Sequence, residues 1–466
     1  MDNQEIIVGL DIGTTKIACF VGMRGENNKV KILGFGRTES IGVENGVVRS
    51  ITGTAESIKH AVEQAADQAN VNIDEVWVGI AGQHIKSRPS QGSVQIPPEH
   101  QLIEESDVER LINEQFNTAL PAGEEIIHIF PQLYVVDNEP LSREIPPVGV
   151  QGKTLVGHFH MVTGNVTNLQ HIRLAVERAG LHIKGVVLEP IASALAVLSD
   201  SEKEAGVALV DIGGGTTDIA IFHDGIIRHT SVLPLAGNAI TNDIREECNI
   251  LKRQAEGLKV KFGSCLTQAV SANDVVSVPG MRNQAPREIY VKTLANIINA
   301  RTKMILEQVD YEIQLSGLHE KLIAGVVLTG GGAQLRHIKD LCELISTIST
   351  RTGTPDEHLT PDSTDNGELA HPMYATGIGL LLYGLEQSER LQTRNAEPEE
   401  ETPQETPVNP NDIFAGMPDV PTQPMQPSTP KQEEPQSKAT DKKKDGLGKA
   451  ISKFLERVFN EKIDGE

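Results

Sequence analysis

The stretch from Val207 to Asp218 constrains the fold of this chain more than any other. It reads Val-Ala-Leu-Val-Asp-Ile-Gly-Gly-Gly-Thr-Thr-Asp. Val207–Val210 is a short apolar run of the kind that forms a strand buried on both faces. Three glycines then permit a tight turn without side chains, and Ile219–Phe222 continues as a second strand. The N–H groups and hydroxyls of such a turn favour phosphate binding, and Asp211 at the strand end can hold the waters of Mg²⁺.

The same arrangement occurs near the N-terminus. An apolar run, Ile6–Leu10, is followed by Asp11–Lys16 and by a second run, Ile17–Val21. The turn has the same order of Asp, Ile, Gly, Thr and Thr, with two glycines fewer. Either turn alone could be a plain hairpin. Because the turns and the flanking strands both agree, the sequence instead predicts a duplicated fold with a nucleotide between its halves.

A third glycine element lies further along the chain. The apolar run Val326–Leu328 leads through Thr329 to three consecutive glycines, and we expect Ala333–Leu344 to form the helix that follows. Such glycines let the backbone lie against a nucleobase or an α-phosphate. An ordinary strand-to-helix turn has the same pattern, so the assignment to the nucleotide depends on the two hairpins.

Composition excludes several classes of function. The 466 residues exceed one ordinary domain, and the net charge of −22 argues against binding nucleic acid. Only 3% of the residues are aromatic, too few for base-stacking platforms. The four cysteines lack metal-binding spacing and fit a reducing compartment. We find no secretion signal and no apolar run of the ~20 residues that would span a membrane.

The C-terminal region changes in character. We expect the last helix of the body to end near Leu385, and residues 388–445, rich in proline and polar side chains, to form a disordered linker. Residues 446–460 combine an apolar stripe at helical spacing with basic residues on other faces. This pattern predicts a helix that lies on an anionic membrane surface, or alternatively one that docks on a protein. The residues concerned are Leu447, Ile451, Phe454, Leu455, Val458 and Phe459 in the stripe, with Lys449, Lys453 and Arg457 beside it.

These motifs resemble a known superfamily. Gly9–Lys16, Val210–Asp218 and Leu328–Gly332 are similar to the glycine turns of actin-like ATPases, which include sugar kinases and heat-shock chaperones. Within the superfamily, residues from about 5 to 385 resemble the FtsA family of bacterial cell-division proteins. The resemblance implies an α/β, actin-like two-lobed ATPase fold with an inserted small α+β subdomain, a disordered linker and a C-terminal amphipathic helix.

The resemblance also implies a division of the chain. Residues 1–84 and 164–204 would form the first, nucleotide-binding lobe, interrupted by an inserted subdomain at 85–163. Residues 205–236 and 310–387 would form the second lobe, with a smaller subdomain at 237–309. The linker at 388–445 would join this body to the membrane-targeting helix at 446–460.

The family's nucleotide site can be carried over by residue. Asp11 and Asp211 would hold Mg²⁺ through water. Glu256 and Lys259, one helical turn apart, would line the purine and ribose, or would alternatively form a surface ion pair. The residues implied to bind ATP are Gly13, Thr14, Thr15, Lys16, Gly213, Gly214, Gly215, Thr216, Thr217, Gly237, Glu256, Lys259, Gly330, Gly331 and Gly332.

Two further residues receive roles from the resemblance. Glu189, at a predicted strand end, would position the attacking water, although a structural carboxylate near a helix N-terminus is the simpler interpretation. Arg301 lies in a predicted helix, Ile289–Val309, that resembles the FtsZ-binding helix of the family. Its guanidinium group suits the acidic tail of FtsZ.

The implied function is mainly structural. An ATP-binding protein with at most slow hydrolysis would anchor FtsZ filaments to the cytoplasmic face of the membrane at the division site. It would self-associate and recruit later division proteins. Two alternatives remain open: a small-molecule kinase of the same superfamily, and an actin-like pilus-assembly protein.

Overall fold

The first elements form a sheet with one covering helix. The computed structural model describes residues 5–142, 146–280, 285–361 and 367–396, which belong to one compact unit. The predicted helix at 446–460 and the predicted linker from residue 397 onward lie outside these residues. The first elements are β1 (Ile6–Ile12), β2 (Lys16–Arg24), β3 (Val30–Glu39), β4 (Val43–Glu44), β5 (Val47–Val48), α1 (Ile51–Ala69) and β6 (Glu75–Ile80).

An inserted subdomain follows directly. It contains β7 (Lys86–Gln95), α2 (Glu105–Gln115), β8 (Glu124–Val136), β9 (Glu139–Pro140) and β10 (Thr154–Asn165). Its strands pair in the order β7-β10-β8-β9. Leu111 of α2 packs with Leu155 and Phe159 of β10 in a small separate core. The insert is therefore a small α+β unit, as predicted.

The chain then returns to complete the first sheet. The next elements are α3 (Val166–Arg178), β11 (His182–Leu188), α4 (Glu189–Val197) and α5 (Asp200–Ala205). The first sheet has the order β11-β6-β1-β2-β3. In it β1 is antiparallel to β2 and parallel to β6.

A second sheet repeats this topology. Its five strands are β12 (Val207–Ile212), β13 (Thr217–His223), β14 (Ile226–Leu233), β17 (Gly325–Thr329) and β18 (Thr350–Thr352). The other elements of this part of the chain are α6 (Gly237–Cys248), α7 (Lys252–Phe262), the separate strand pair β15 (Val275–Val278) and β16 (Arg287–Tyr290), α8 (Val291–Leu315), α9 (Ile338–Ser346) and α10 (Ala375–Ala396). The order is β14-β13-β12-β17-β18, and β12 is antiparallel to β13 and parallel to β17. The predicted duplication is confirmed.

Helices α4 and α10 lie between the two sheets. One apolar cluster joins Ala18 and Phe20 of the first sheet, Ile378 of α10, and Leu209 and Ala220 of the second sheet. The helices approach each other closely because a Cβ at Gly379 of α10 would overlap the backbone of α4. In the described part of the chain, no helix has the length and apolar character needed to cross a membrane.

Three predicted helices differ from the structure at a boundary. The helix predicted at Ile289–Val309 is α8, which begins at Val291 after strand β16 and continues to Leu315. The helix expected from Ala333 begins at Ile338, after a 3-10 turn. His337 is left-handed at φ +63°, and the carbonyl of Arg336 accepts a hydrogen bond from the Cys265 N–H, so the backbone there cannot be helical. The last helix continues to Ala396 instead of ending near Leu385. The first residues of the predicted linker are therefore helical, and Glu389 on this extension pairs with Arg24.

Candidate functional site

The two glycine hairpins face each other. A Cβ on Gly215 would lie 2.5 Å from Thr14 Oγ1, and a Cβ on Gly214 would overlap the Thr15 side chain. Within the second hairpin, the Gly213 N–H donates to the Thr216 carbonyl over 2.9 Å. Only glycine permits this close approach of the two turns, which the sequence placed about 200 residues apart.

The start of α6 is hydrogen-bonded to the second hairpin. The Gly237 N–H donates to the Gly213 carbonyl over 3.1 Å, and the Asn238 N–H donates to the Gly214 carbonyl over 2.7 Å. The Thr217 hydroxyl, on the hairpin side, donates to the Leu235 carbonyl over 2.7 Å. These bonds place Gly237 against the glycine turn.

Glu256 and Lys259 form an ion pair that is tied to the same place. Lys259 Nζ lies 2.8 Å from Glu256 Oε2, and its side chain is only 11% exposed. It also donates to the Gly237 carbonyl over 3.1 Å and to Thr241 Oγ1 over 2.9 Å. The pair is therefore part of the cluster around Gly237 and does not stand alone on the surface.

The third glycine element contacts the second hairpin. Strand β17 pairs with β12, and Gly330 follows it with φ +83°. A Cβ at Gly330 would overlap Asp211 Oδ1, and one at Gly332 would overlap Ile212. Gly331 is more open, since the nearest atom to a Cβ there is Met373 Cβ at 3.9 Å.

Buried carboxylates collect at the strand ends. Asp11 accepts a hydrogen bond from Lys16 Nζ over 3.0 Å. Asp211 Oδ2 accepts from Ser193 Oγ over 2.7 Å and from Thr376 Oγ1 over 3.3 Å. Burial raises the pKa of Asp211, although the Ser193 hydroxyl and Lys16 act in the opposite direction. Burial opposes the charge on Lys16, but Asp11, Asp211 and Glu189 raise its pKa overall.

Glu189 and Asp218 add further negative charge. Glu189 is the first residue of α4, and burial together with Asp11 and Asp218 raises its pKa well above the usual value. Burial and the neighbouring Asp211 raise the pKa of Asp218 to about 8. Asp218 Oδ2 accepts from the Thr216 hydroxyl over 3.0 Å, whereas its Oδ1 is buried with no hydrogen-bond partner.

This cluster has the chemistry that a divalent cation and phosphates require. Three buried aspartates and the partly buried Glu189 collect here with Lys16 as the neighbouring cation, so added positive charge would be stabilised. The glycine turns leave backbone, not side chains, beside the acids. Among the described residues, no group of three or more His, Cys, Asp or Glu side chains is arranged to coordinate a metal directly.

Several residues of the site were missing from the sequence prediction. Ser193 and Thr376 contact Asp211, and Thr241 contacts Lys259. The Gly46 N–H, from the turn between β4 and β5, donates to Thr14 Oγ1 over 3.1 Å. Asp218 could have been found, because it directly follows the Thr-Thr pair of the motif. The others are brought in by tertiary packing and have no local signal.

The remaining predicted residues lie apart from this cluster or outside the description. Arg301 on α8 pairs with Asp243 on α6, over 2.6 Å from Nε and 2.9 Å from Nη2. It therefore has an intramolecular carboxylate partner. The nine predicted membrane-contact residues between 447 and 459 lie outside the described residues.

Comparison with known proteins supports one family. The family model for the cell division protein FtsA matches residues 208–379, the model for the SHS2 domain inserted in FtsA matches 82–163, and an Hsp70 model matches 166–231. A solved structure of the PilM–PilN type IV pilus biogenesis complex has a TM-score of 0.59 at 16% identity. It covers 81% of this chain and 98% of that chain, and it shows a shared fold only.

Curated relatives extend the similarity over most of the chain. The cell division protein FtsA of Pseudomonas aeruginosa is 38% identical over 386 residues, which are 83% of this chain and 91% of that protein. The FtsA of Escherichia coli K12 is 33% identical over 391 residues, 82% of this chain and 91% of that protein. The chain therefore belongs to the FtsA family of actin-like cell-division proteins.

Proposed function

We propose that this chain binds ATP and anchors FtsZ filaments to the cytoplasmic face of the membrane at the division site. It would recruit later division proteins, self-associate, and hydrolyse ATP slowly at most. Membership in the FtsA family supports the division role. The observation that carries the nucleotide part is the meeting of two glycine hairpins, the Gly330 turn and the buried carboxylates in one place.

In this proposal, the hairpins hold the phosphates. Backbone N–H groups and hydroxyls of Gly13–Thr15 and Gly213–Thr217 would donate to phosphate oxygens, and Lys16 would add a positive charge. Asp11 and Asp211 would hold Mg²⁺ through water, and the ion would neutralise phosphate charge.

The rest of the nucleotide would lie along the second lobe. Gly330–Gly332 would pass beside the α-phosphate or the base, where side chains would obstruct it. Gly237, Glu256 and Lys259 would line the ribose and purine. The contacts of Lys259 with Gly237 and Thr241 support this placement, because they fix its ammonium group beside the hairpin.

Slow ATP hydrolysis is consistent with the raised pKa of the Glu189 carboxyl group. Burial and the neighbouring Asp11 raise the pKa of this carboxyl well above its usual value, which disfavours the charged carboxylate that would accept a proton from water. We therefore assign ATP a role in assembly and conformation. A kinase would require a hydroxylated substrate to stimulate rapid ATP turnover, which an ATPase assay with sugars and related polyols would detect.

Helix α8 offers the surface for the FtsZ tail. Met304 and Tyr311 on this helix are 45% and 59% exposed, and Arg301 lies on the same element. An acidic peptide would share Arg301 with Asp243 or displace that carboxylate. The predicted C-terminal helix would supply the membrane contact.

Vesicle flotation tests the proposal. FtsZ filaments are mixed with anionic vesicles, ATP, Mg²⁺ and either the full chain or a chain truncated after Pro398. We expect FtsZ to float with the vesicles only when the full chain is present. If the full chain floats without FtsZ, the anchoring role is wrong; if it does not float, the membrane role is wrong. Replacing FtsZ by a cytoplasmic peptide of a pilus inner-membrane protein tests the pilus alternative.

A further inference from the structure

Two buried hydroxyl groups fix the carboxylate of Asp211. Both hydrogen bonds that the structure gives to this carboxylate are accepted by Oδ2, one from Ser193 and one from Thr376. The two hydroxyls are also within 3.0 Å of each other. Ser193 is 0% exposed and Thr376 is 8% exposed. The three side chains form a closed cluster at the end of β12.

The cluster determines the direction in which Asp211 points. With Oδ2 held by two hydroxyls, Oδ1 is directed toward Gly330, where a Cβ would overlap it. Oδ1 therefore faces the glycine turn that follows β17. A carboxylate held in one rotamer loses less conformational freedom when a ligand binds than a mobile one.

The two hydroxyls come from elements that are distant in sequence. Ser193 lies on α4 and Thr376 lies on α10, the two helices between the sheets, whereas Asp211 ends a strand of the second sheet. Ser193 is one residue from Ala192, against which Gly379 of α10 packs. The orientation of Asp211 is therefore set by the packing of both central helices.

We propose that Ser193 and Thr376 are positioning residues that orient Asp211 toward a nucleotide-bound divalent cation. This inference rests on the proposed assignment of Asp211 to Mg²⁺. The hydroxyls themselves do not touch the nucleotide. Removal of either hydroxyl should therefore weaken nucleotide binding in the presence of the cation and have little effect in its absence.

The test measures nucleotide affinity with and without the cation. A fluorescent ATP analogue is titrated into the full chain in excess MgCl₂ and in EDTA. The dissociation constant in EDTA divided by that in MgCl₂ gives the ratio that is compared between variants. We expect Ser193→Ala to reduce this ratio about tenfold, the effect of losing one hydrogen bond to a charged group, while the affinity in EDTA changes less than twofold. Ser57→Ala is the matched control, because Ser57 is a buried helical serine bonded to the Ile41 N–H, and it should leave the ratio unchanged.

Thr376 provides a pair of variants at one position. Thr376→Val keeps the shape and removes the hydroxyl, so the ratio should fall. Thr376→Ser keeps the hydroxyl, so the ratio should recover toward that of the original chain. This pair excludes a general packing defect, because the serine variant loses more volume than the valine variant. Circular dichroism melts confirm that each variant is folded.

The outcomes separate this inference from the proposed function. If the unmodified chain binds no nucleotide under either condition, the proposed nucleotide function is wrong and the inference falls with it. If the unmodified chain binds with a strong Mg²⁺ dependence that Ser193→Ala and Thr376→Val both retain, the nucleotide function stands and the positioning role is wrong.

Discussion

Gly330 shows how a single hydrogen atom in place of a side chain shapes the site. Its φ of +83° is left-handed, and a Cβ there would overlap Asp211 Oδ1. Gly330→Ala should lower the free energy of unfolding by about 1 kcal/mol for the backbone and by a further 1–3 kcal/mol, roughly, for overpacking. Gly225→Ala is the matched control, since Gly225 has φ +71° and nothing within 4 Å of its Cβ position. Urea denaturation measures both, and equal losses would contradict the close contact.

Lys259 holds a positive charge beside Gly237, which is hydrogen-bonded to the second hairpin. Lys259→Met keeps much of the aliphatic stem but removes an ammonium group bonded to Gly237, Thr241 and Glu256. We expect the affinity for ATP to fall about tenfold, the usual effect of losing a hydrogen bond from a charged group. Lys303→Met, at an exposed pair with Glu307 on α8, should have no effect. Titration with a fluorescent nucleotide compares the two variants.

At the scale of elements, strands β8 and β10 attach the insert to both lobes through histidines. His128 Nε2 accepts from the Leu188 N–H over 3.2 Å, and His160 Nε2 lies 3.0 Å from Thr230 Oγ1. Burial lowers the pKa of both to about 4, from 6.5. The folded chain binds these protons more weakly than the unfolded chain does. The contribution of the two neutral histidines to the free energy of unfolding is therefore complete above pH 6.5 and is lost as the pH falls toward 4. Over this range each histidine should lower the free energy of unfolding by roughly 3 kcal/mol.

A comparison of variants isolates this histidine effect from the titration of carboxylates. Chemical denaturation is followed between pH 7 and pH 4 in the unmodified chain and in the double variant His128→Gln and His160→Gln. The double variant should lose less stability over this range. His60→Gln, on the exposed face of α1, should follow the unmodified chain. A double variant with the same slope as the unmodified chain would show that these histidines are not buried as described.

Local elements were predictable, whereas long-range contacts were not. The hairpins at Asp11 and Asp211 could be predicted because their apolar strands and glycine turns follow one another directly in the sequence. Just before α9 the Arg336 carbonyl is bonded to the Cys265 N–H, and Glu389 on the extension of α10 pairs with Arg24. Neither partner is near in sequence, so no local pattern signals them. Ser193 and Thr376 could not be predicted either, because their partner Asp211 is distant from both in the sequence.

At the scale of the whole molecule, the body and the tail should act separately. Every residue that we assign to the nucleotide site lies between Asp11 and Thr376. Truncation after Pro398 should therefore leave nucleotide binding intact. With Mg²⁺ present, ATP at 100 times its Kd should stabilise both the full and the truncated body by about 2.7 kcal/mol. Thermal melts measure the shift, and a shift confined to the full chain would mean that the tail contributes to the nucleotide site.

Membrane attachment should instead depend on one apolar stripe in the tail. Phe454→Asp places a charge among the aliphatic residues predicted to enter the bilayer interface, which costs far more than the same change in a solvated segment. We expect this variant to stay with the soluble fraction when anionic vesicles are floated. Phe414→Asp, within the predicted linker, should float like the unmodified chain. If Phe454→Asp also floats, the stripe does not enter the lipid, and the helix is better explained as one that docks on a protein.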